Sequence, residues 1–156
     1  NVSDLPTKIE MSLADGTADG SDYTGTQVVV TYLDGDDEKS QTLMVSNGQF
    51  SFDLPAGNSG FKVAVQTTSD ADAPIYEGDE TFILTASTET QSTPTSGQAT
   101  IQDGGNGGAQ SDDDRPEVTQ VSSLTVEEGQ SATFDVTLSN ASELPTKIEM
   151  SLADGT

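Results

Sequence analysis

The chain contains no cysteine, no histidine and no tryptophan in 156 residues. Without cysteine there is no disulfide framework, and without cysteine or histidine the ordinary ligands of a zinc or haem site are missing. The same absences remove Cys/His and Ser-His-Asp catalysis. Basic side chains are scarce as well: five Lys and Arg stand against 27 Asp and Glu, a formal charge of −22. Nucleic acid and anionic membranes are bound through clustered Lys and Arg, so neither is an expected partner. No apolar run approaches the roughly 20 residues of a membrane helix, and no membrane insertion is expected. The absence of cysteine leaves the compartment open, since it suits both a reducing cytosol and disulfide-free secretion. Asn1 opens in mid-pattern without a signal peptide, which reads as a segment of something longer.

The apolar share, 31%, is low, and with so much charge of one sign it approaches the composition of disordered chains. The apolar residues are not scattered, however. They fall in short runs of period two, which predicts strands. "KIEMSL" puts Ile9, Met11 and Leu13 on one face, and "QVVVTYL" puts Val28, Val30 and Tyr32 opposite Val29 and Leu33. "QFSFDL" aligns Phe50, Phe52 and Leu54; "GFKVAVQ" aligns Phe61, Val63 and Val65; "ETFILTAS" aligns Phe82, Leu84 and Ala86. "GQATIQ" adds Ala99 and Ile101, and "SATFDVTLS" adds Ala132, Phe134, Val136 and Leu138. Turn chemistry such as "ADG", "SNGQ" and "PAGNSG" bounds these runs, and "LDGDDE" at 33–38 reads as a hairpin turn carrying surface charge. Many short one-faced strands without a helical pattern predict an all-β protein, an antiparallel β-sandwich whose two sheets cover each other's apolar faces.

One feature dominates the organisation of the chain. "LPTKIEMSLADGT" occurs at 5–17 and again, unchanged, at 144–156, an offset of 139 residues. Extended outward, 1–17 and 140–156 differ only at Val2/Ala141 and Asp4/Glu143. A fixed period is the mark of a tandem array. Apolar content almost vanishes in "QDGGNGGAQSDDDRPE" at 102–117. The expected division is therefore 1–103 as the main part of one sandwich repeat lacking its opening strands, 104–117 as an acidic Gly-rich linker, and 118–156 as the opening strands of the following repeat.

Four stretches carry a resemblance: "VTQVSSLTVEEGQSATFDVTLSNAS" at 118–142, "GTADGSDYTG" at 16–25, "YEGDETFILTAS" at 76–87 and "GQATIQDGG" at 97–105. In array order they resemble the Calx-β family of Ig-like sandwiches, and more closely the tandem extender repeats of large bacterial biofilm adhesins with RTX-type C-termini. The resemblance covers most of the 139-residue period and is weak across 33–60. It implies calcium held in acidic loops at the ends of the sandwich and at repeat junctions. The matching positions are Glu127 or Glu128 in "VEEG", Asp22 in "GSDY", Asp70, Asp72 and Glu77 in "SDADAPIYEGDE", and Asp103 after the closing strand. Because a Gly-rich insert follows Asp103, Asp112, Asp113 and Asp114 compete with it for the capping role.

The physical case for calcium is separate. Ca²⁺ takes six to eight oxygens, which carboxylates on short loops between rigid strands supply, and bound cations relieve the self-repulsion of so acidic a chain. The competing reading of each cluster is a solvated acidic loop. An EF-hand fails on spacing, because counting from Asp70 puts Ile75 where Gly is required and Thr81 where Glu is required. Asp79 and Glu80 are a conceivable glycosidase pair, but strand neighbours point to opposite faces and no aromatic sugar platform accompanies them, so no enzyme activity is expected.

Three functions compete: a calcium-stiffened extracellular spacer of a bacterial surface adhesin, a Calx-β-type calcium sensor, and a ligand-binding adhesin head. Near-perfect repetition favours the spacer, whose partners are neighbouring repeats head to tail. The duplicated strand leaves two possibilities for 118–138: to fold back on its own chain, or to complete a neighbouring molecule by strand complementation. The second is preferred, because the first leaves one copy of the repeated strand unpaired.

Overall fold

A computed structural model describes residues 3–69, 75–102 and 114–155. It divides into two compact units, one of Asn1–Ser69 and Glu80–Ile101, the other of Asp70–Asp79 and Gln102–Thr156. Among the described residues there are strands and turns but no helix.

The first unit contains β1 (Thr7–Asp15), β2 (Gln27–Asp34), β3 (Asp37–Met44), β4 (Gln49–Leu54), β5 (Lys62–Ala64), β7 (Glu80–Thr88) and β8 (Thr95–Ile101). They form two antiparallel sheets, one ordered β4-β1-β7-β8 and the other β3-β2-β5. β1 is central, with Met11 opposite Phe50 on one side and Ala86 on the other. The inward side chains are those whose period-two spacing marks them: Ile9, Met11 and Leu13, Val28 and Val30, Phe50, Phe52 and Leu54, and Phe82 are all buried in one core. Tyr32, Phe61, Val63, Leu84, Ala99 and Ile101 pack around it. Phe52 joins the layers, its ring 5.8 Å from Tyr32 and 5.0 Å from Phe61, the latter edge-on. The two sheets thus face each other across a shared core, as in a β-sandwich.

β3 is a strand the periodicity did not show. Its sequence, DEKSQTLM, has no apolar alternation and is almost wholly exposed, because it is an edge strand held by its ladder to β2 from Asp34↔Asp37 to Gln27↔Met44. Gly35, at φ +67°, turns that hairpin inside the predicted "LDGDDE" stretch. Asn47 and Gly48, both at positive φ, make the next two-residue turn between Ser46 and Gln49. That conformation suits an Asn-Gly pair.

The second unit is built differently. β9 (Val118–Val121) and β10 (Val136–Leu138) pair antiparallel, with a shift in register between Thr137 and Leu138. β6 (Ile75–Tyr76) and β11 (Ala141–Ser142) pair parallel, extended by a bond from Glu143 N–H to the Tyr76 carbonyl. No hydrophobic side chain described in this unit is buried: Val121 and Phe134 are half-exposed, and Met150 and Leu152 are 82% and 98% exposed. The expected strand across Ala132–Leu138 is therefore short, because only Val136–Leu138 has a ladder partner. Of the two copies of the repeated segment, 7–15 are strand throughout, whereas 146–154 have no strand partner among the described residues.

Candidate functional site

β1 ends at Asp15, and the chain then crosses residues 16–26, "GTADGSDYTGT", to reach β2. Both flanks of this loop are anchored. On one side the N–H groups of Gly16 and Ala18 each donate to the Thr81 carbonyl at 3.0 Å, and Thr81 N–H donates to Thr17 Oγ1 at 2.9 Å. A Cβ on Gly16 would lie 2.5 Å from Thr81 O, so this approach of loop to strand requires glycine. On the other side Thr24 N–H donates to Gln66 O and Thr68 N–H to Asp22 O, both at 2.8 Å, around a Tyr23↔Thr67 bridge.

Tyr23 is thereby pressed into the end of the core. Its ring stacks on Phe82 at 4.6 Å, and its hydroxyl donates to Asp15 Oδ1. Burial first, then the bond to Asp15 and the charges of Asp15, Asp19 and Asp22, push the phenol up to about 12. The folded value exceeds the unfolded value of about 10, so the fold favours the neutral phenol. That stabilisation is complete below pH 10 and is lost as pH rises through 12. The melting temperature of the wild type is expected to fall between pH 10 and 12 more steeply than that of Tyr23→Phe, a difference read from paired thermal scans.

Above the tyrosine, the loop organises its own carboxylates. Ser21 donates to Asp19 Oδ1 from both its N–H, at 2.7 Å, and its hydroxyl, at 2.5 Å, while Asp19 N–H donates to Asp22 Oδ2 at 2.7 Å. The two Ser21 bonds hold the Asp19 carboxyl below its usual range. Such reciprocal side-chain-to-backbone bonds orient the acids and leave coordination capacity on each carboxylate. The Asp22 carboxylate then comes within 4.8 Å of that of Glu80, the first residue of β7, both half-buried. The four lysines are paired elsewhere: Lys8 with Glu10 and Glu89, Lys39 with Asp37, Lys62 with Glu38, Lys147 with Glu149. Two carboxylates at this spacing offer oxygens of the kind that a hard cation takes.

Of the residues expected as ligands, Asp22 lies in this loop. Glu77 belongs to the second unit, three residues before Glu80 along the chain. Asp70, Asp72, Asp103, Asp112 and Asp113 lie outside the described residues. The backbone carbonyl of Asp114 accepts a bond from Asn140 Nδ2. Glu127 and Glu128 sit in an exposed turn closed by Gln130 N–H to Glu127 O, with Gly129 at φ +85°. Among the described residues no group of three carboxylates gathers around Asp114, Glu127 or Glu128.

The sequence reading missed Asp15, Asp19 and Glu80 as members of the site. The Asp-x-x-Asp spacing in "ADGSD" is a local signal for the first turn. Glu80 has none, because it lies 58 residues farther along the chain, beside Thr81, which bonds Gly16, Thr17 and Ala18 at the start of the loop. The outer face of the β4-β1-β7-β8 sheet also carries an open polar groove, lined by Glu10, Ser12, Gln49, Ser51, Thr85 and Ser87.

No known family model, curated protein or solved structure matches the chain.

Proposed function

We propose that this protein is a calcium-stabilised extender module, an Ig-like unit of a tandem array that spaces a binding domain away from a bacterial cell surface. The observation that carries the reading is the approach of the Asp22 and Glu80 carboxylates over a loop pinned to Thr81. Calcium there would tie the β1–β2 loop to β7 and relieve part of a −22 charge. Near-exact repetition of 1–17 at 140–156 supports a repeat array over a sensor, which needs one specialised copy.

Extracellular calcium modules bind with Kd of about 10⁻⁴ to 10⁻³ M, so 10 mM calcium is expected to stabilise the fold by about 1.4–2.7 kcal/mol. For a unit of this size the melting temperature should rise on the order of 10 °C over that in chelator. Asp22→Asn with Glu80→Gln should abolish the rise. Identical melting in calcium and chelator would refute the proposal, and micromolar affinity with a large change of shape would favour the sensor.

A further inference from the structure

Asn47, at φ +52°, is the one non-glycine residue at positive φ among the described residues, and Gly48 follows at +74°. Positive φ at both central positions makes this two-residue turn type I′. Its base is clamped, with Ser46 N–H donating to Gln49 O at 2.9 Å and Gln49 N–H to Ser46 O at 3.0 Å. The Gly48 carbonyl is held as well, by Leu13 N–H at 2.8 Å. The peptide between Asn47 and Gly48 is not: neither the Asn47 carbonyl, nor the Gly48 N–H, nor the exposed Asn47 side chain has a hydrogen-bond partner among the described residues.

We propose that the Asn47–Gly48 peptide is a modification site, where the folded protein forms a succinimide by itself and converts Asn47 to isoaspartate and aspartate.

Gly48 N gives its proton to solvent and attacks Asn47 Cγ, forming an N–C bond, while the Cγ–Nδ2 bond breaks and Nδ2 leaves as ammonia. Water then opens the imide, at Cγ to give aspartate or at the main-chain carbonyl to give isoaspartate. One water enters and one ammonia leaves. Ring closure requires Gly48 N to eclipse Asn47 Cβ, and with φ already positive this is the first central position of a type II′ turn, about +60°, −120°. Passing from I′ to II′ flips only the unheld peptide and takes Gly48 from positive to negative φ, both of which glycine adopts. Both turns close a two-residue hairpin, so Ser46 and Gln49 stay paired. Glycine is also required at 48 by packing, since a Cβ there would stand 2.7 Å from Leu13 O. The fold thus keeps the least hindered nucleophile beside Asn47.

Asn58 supplies the contrast. Its side chain accepts from Leu33 N–H at 3.1 Å and donates to Leu33 O at 2.7 Å and Pro55 O at 3.0 Å, so its amide is committed. Conversion of Asn47 adds a carboxylate to the −22 charge, among the residues that line the polar groove with Glu10. Isoaspartate also adds a methylene to the main chain where it passes from β3 in one sheet to β4 in the other.

The test ages the full-length chain at mildly alkaline pH, folded in one sample and unfolded in guanidinium in the other. Both are followed by tryptic mapping with fragmentation that separates isoaspartate from aspartate. Cleavage after Lys39 and Lys62 leaves Asn47 and Asn58 in one peptide, while the Asn-Gly pair at 106–107, outside the described residues, falls in another. In the folded sample Asn47 should convert, mainly to isoaspartate, within roughly tenfold of its unfolded rate, because both turns are favoured hairpin conformations. Asn58 should keep its amide. Conversion through global unfolding alone would be slower by roughly a thousandfold or more. The proposal is overturned if folding slows Asn47 by more than about tenfold, or if aspartate forms without isoaspartate, the mark of direct hydrolysis. It is equally overturned if Asn58 reacts as fast folded as unfolded, for then hydrogen bonding does not govern the difference.

Discussion

Leu13→Ala is expected to cost about 2–5 kcal/mol, and Leu152→Ala less than about 0.5 kcal/mol, although the eight residues before Leu13 and the four after it recur unchanged around Leu152. Leu13 is 6% exposed, faces Leu84 on β7, and donates its backbone N–H to Gly48 O at 2.8 Å. Removing its side chain deletes buried methyl groups and leaves a cavity in a core that relaxes only partly. Leu152 is 98% exposed and takes nothing out of water. Against a total stability of roughly 5–15 kcal/mol, the first loss is a large fraction of the whole. Urea unfolding checks it: the midpoint should drop for Leu13→Ala with little change in slope and stay in place for Leu152→Ala. Equal effects at the two sites would show that both copies are buried in solution.

Phe52→Ala should be the most damaging single truncation, at about 3–5 kcal/mol. Phe52 is 7% exposed and touches Tyr32 and Phe61 from the opposite sheet, so its removal separates the layers where three rings meet. Aromatic pairs add about 0.5–1.5 kcal/mol beyond the area they bury, and two are lost together. For a unit of this size the melting temperature should fall on the order of 20 °C. Phe134→Ala, at a half-exposed position of the second unit, should change it by no more than a degree or two, and differential scanning calorimetry distinguishes the two outcomes.

Most of the first unit was legible because its inward residues alternate. Ile9, Met11 and Leu13, or Phe50, Phe52 and Leu54, announce a one-faced strand before any partner is known. β3 was not legible, since an exposed edge strand needs no apolar face and its extended form comes from pairing with β2. The converse error lies at Ala132–Leu138, where the alternation is clean but a ladder reaches only Val136–Leu138. The candidate site divides in the same way. Asp22 stands in a motif with its own turn chemistry, so it could be read locally. Glu80 lies 58 residues farther along, and the bonds from Gly16 and Ala18 N–H to the Thr81 carbonyl hold its strand against the start of that loop.

By itself the sequence determined the class of fold, most members of the first unit's core and the chemistry open to the protein. Period-two apolar runs can bury only as sheets, and a chain without Cys or His but with 27 carboxylates has oxygen ligands to offer. Only the tertiary structure decided which copy of a repeated segment becomes a strand. Identical residues at 7–15 and 146–154 have identical local preferences, so nothing local can separate them. Strand hydrogen bonds are made with neighbours rather than within the segment: β1 has β4 and β7 on its two edges, while its duplicate has neither.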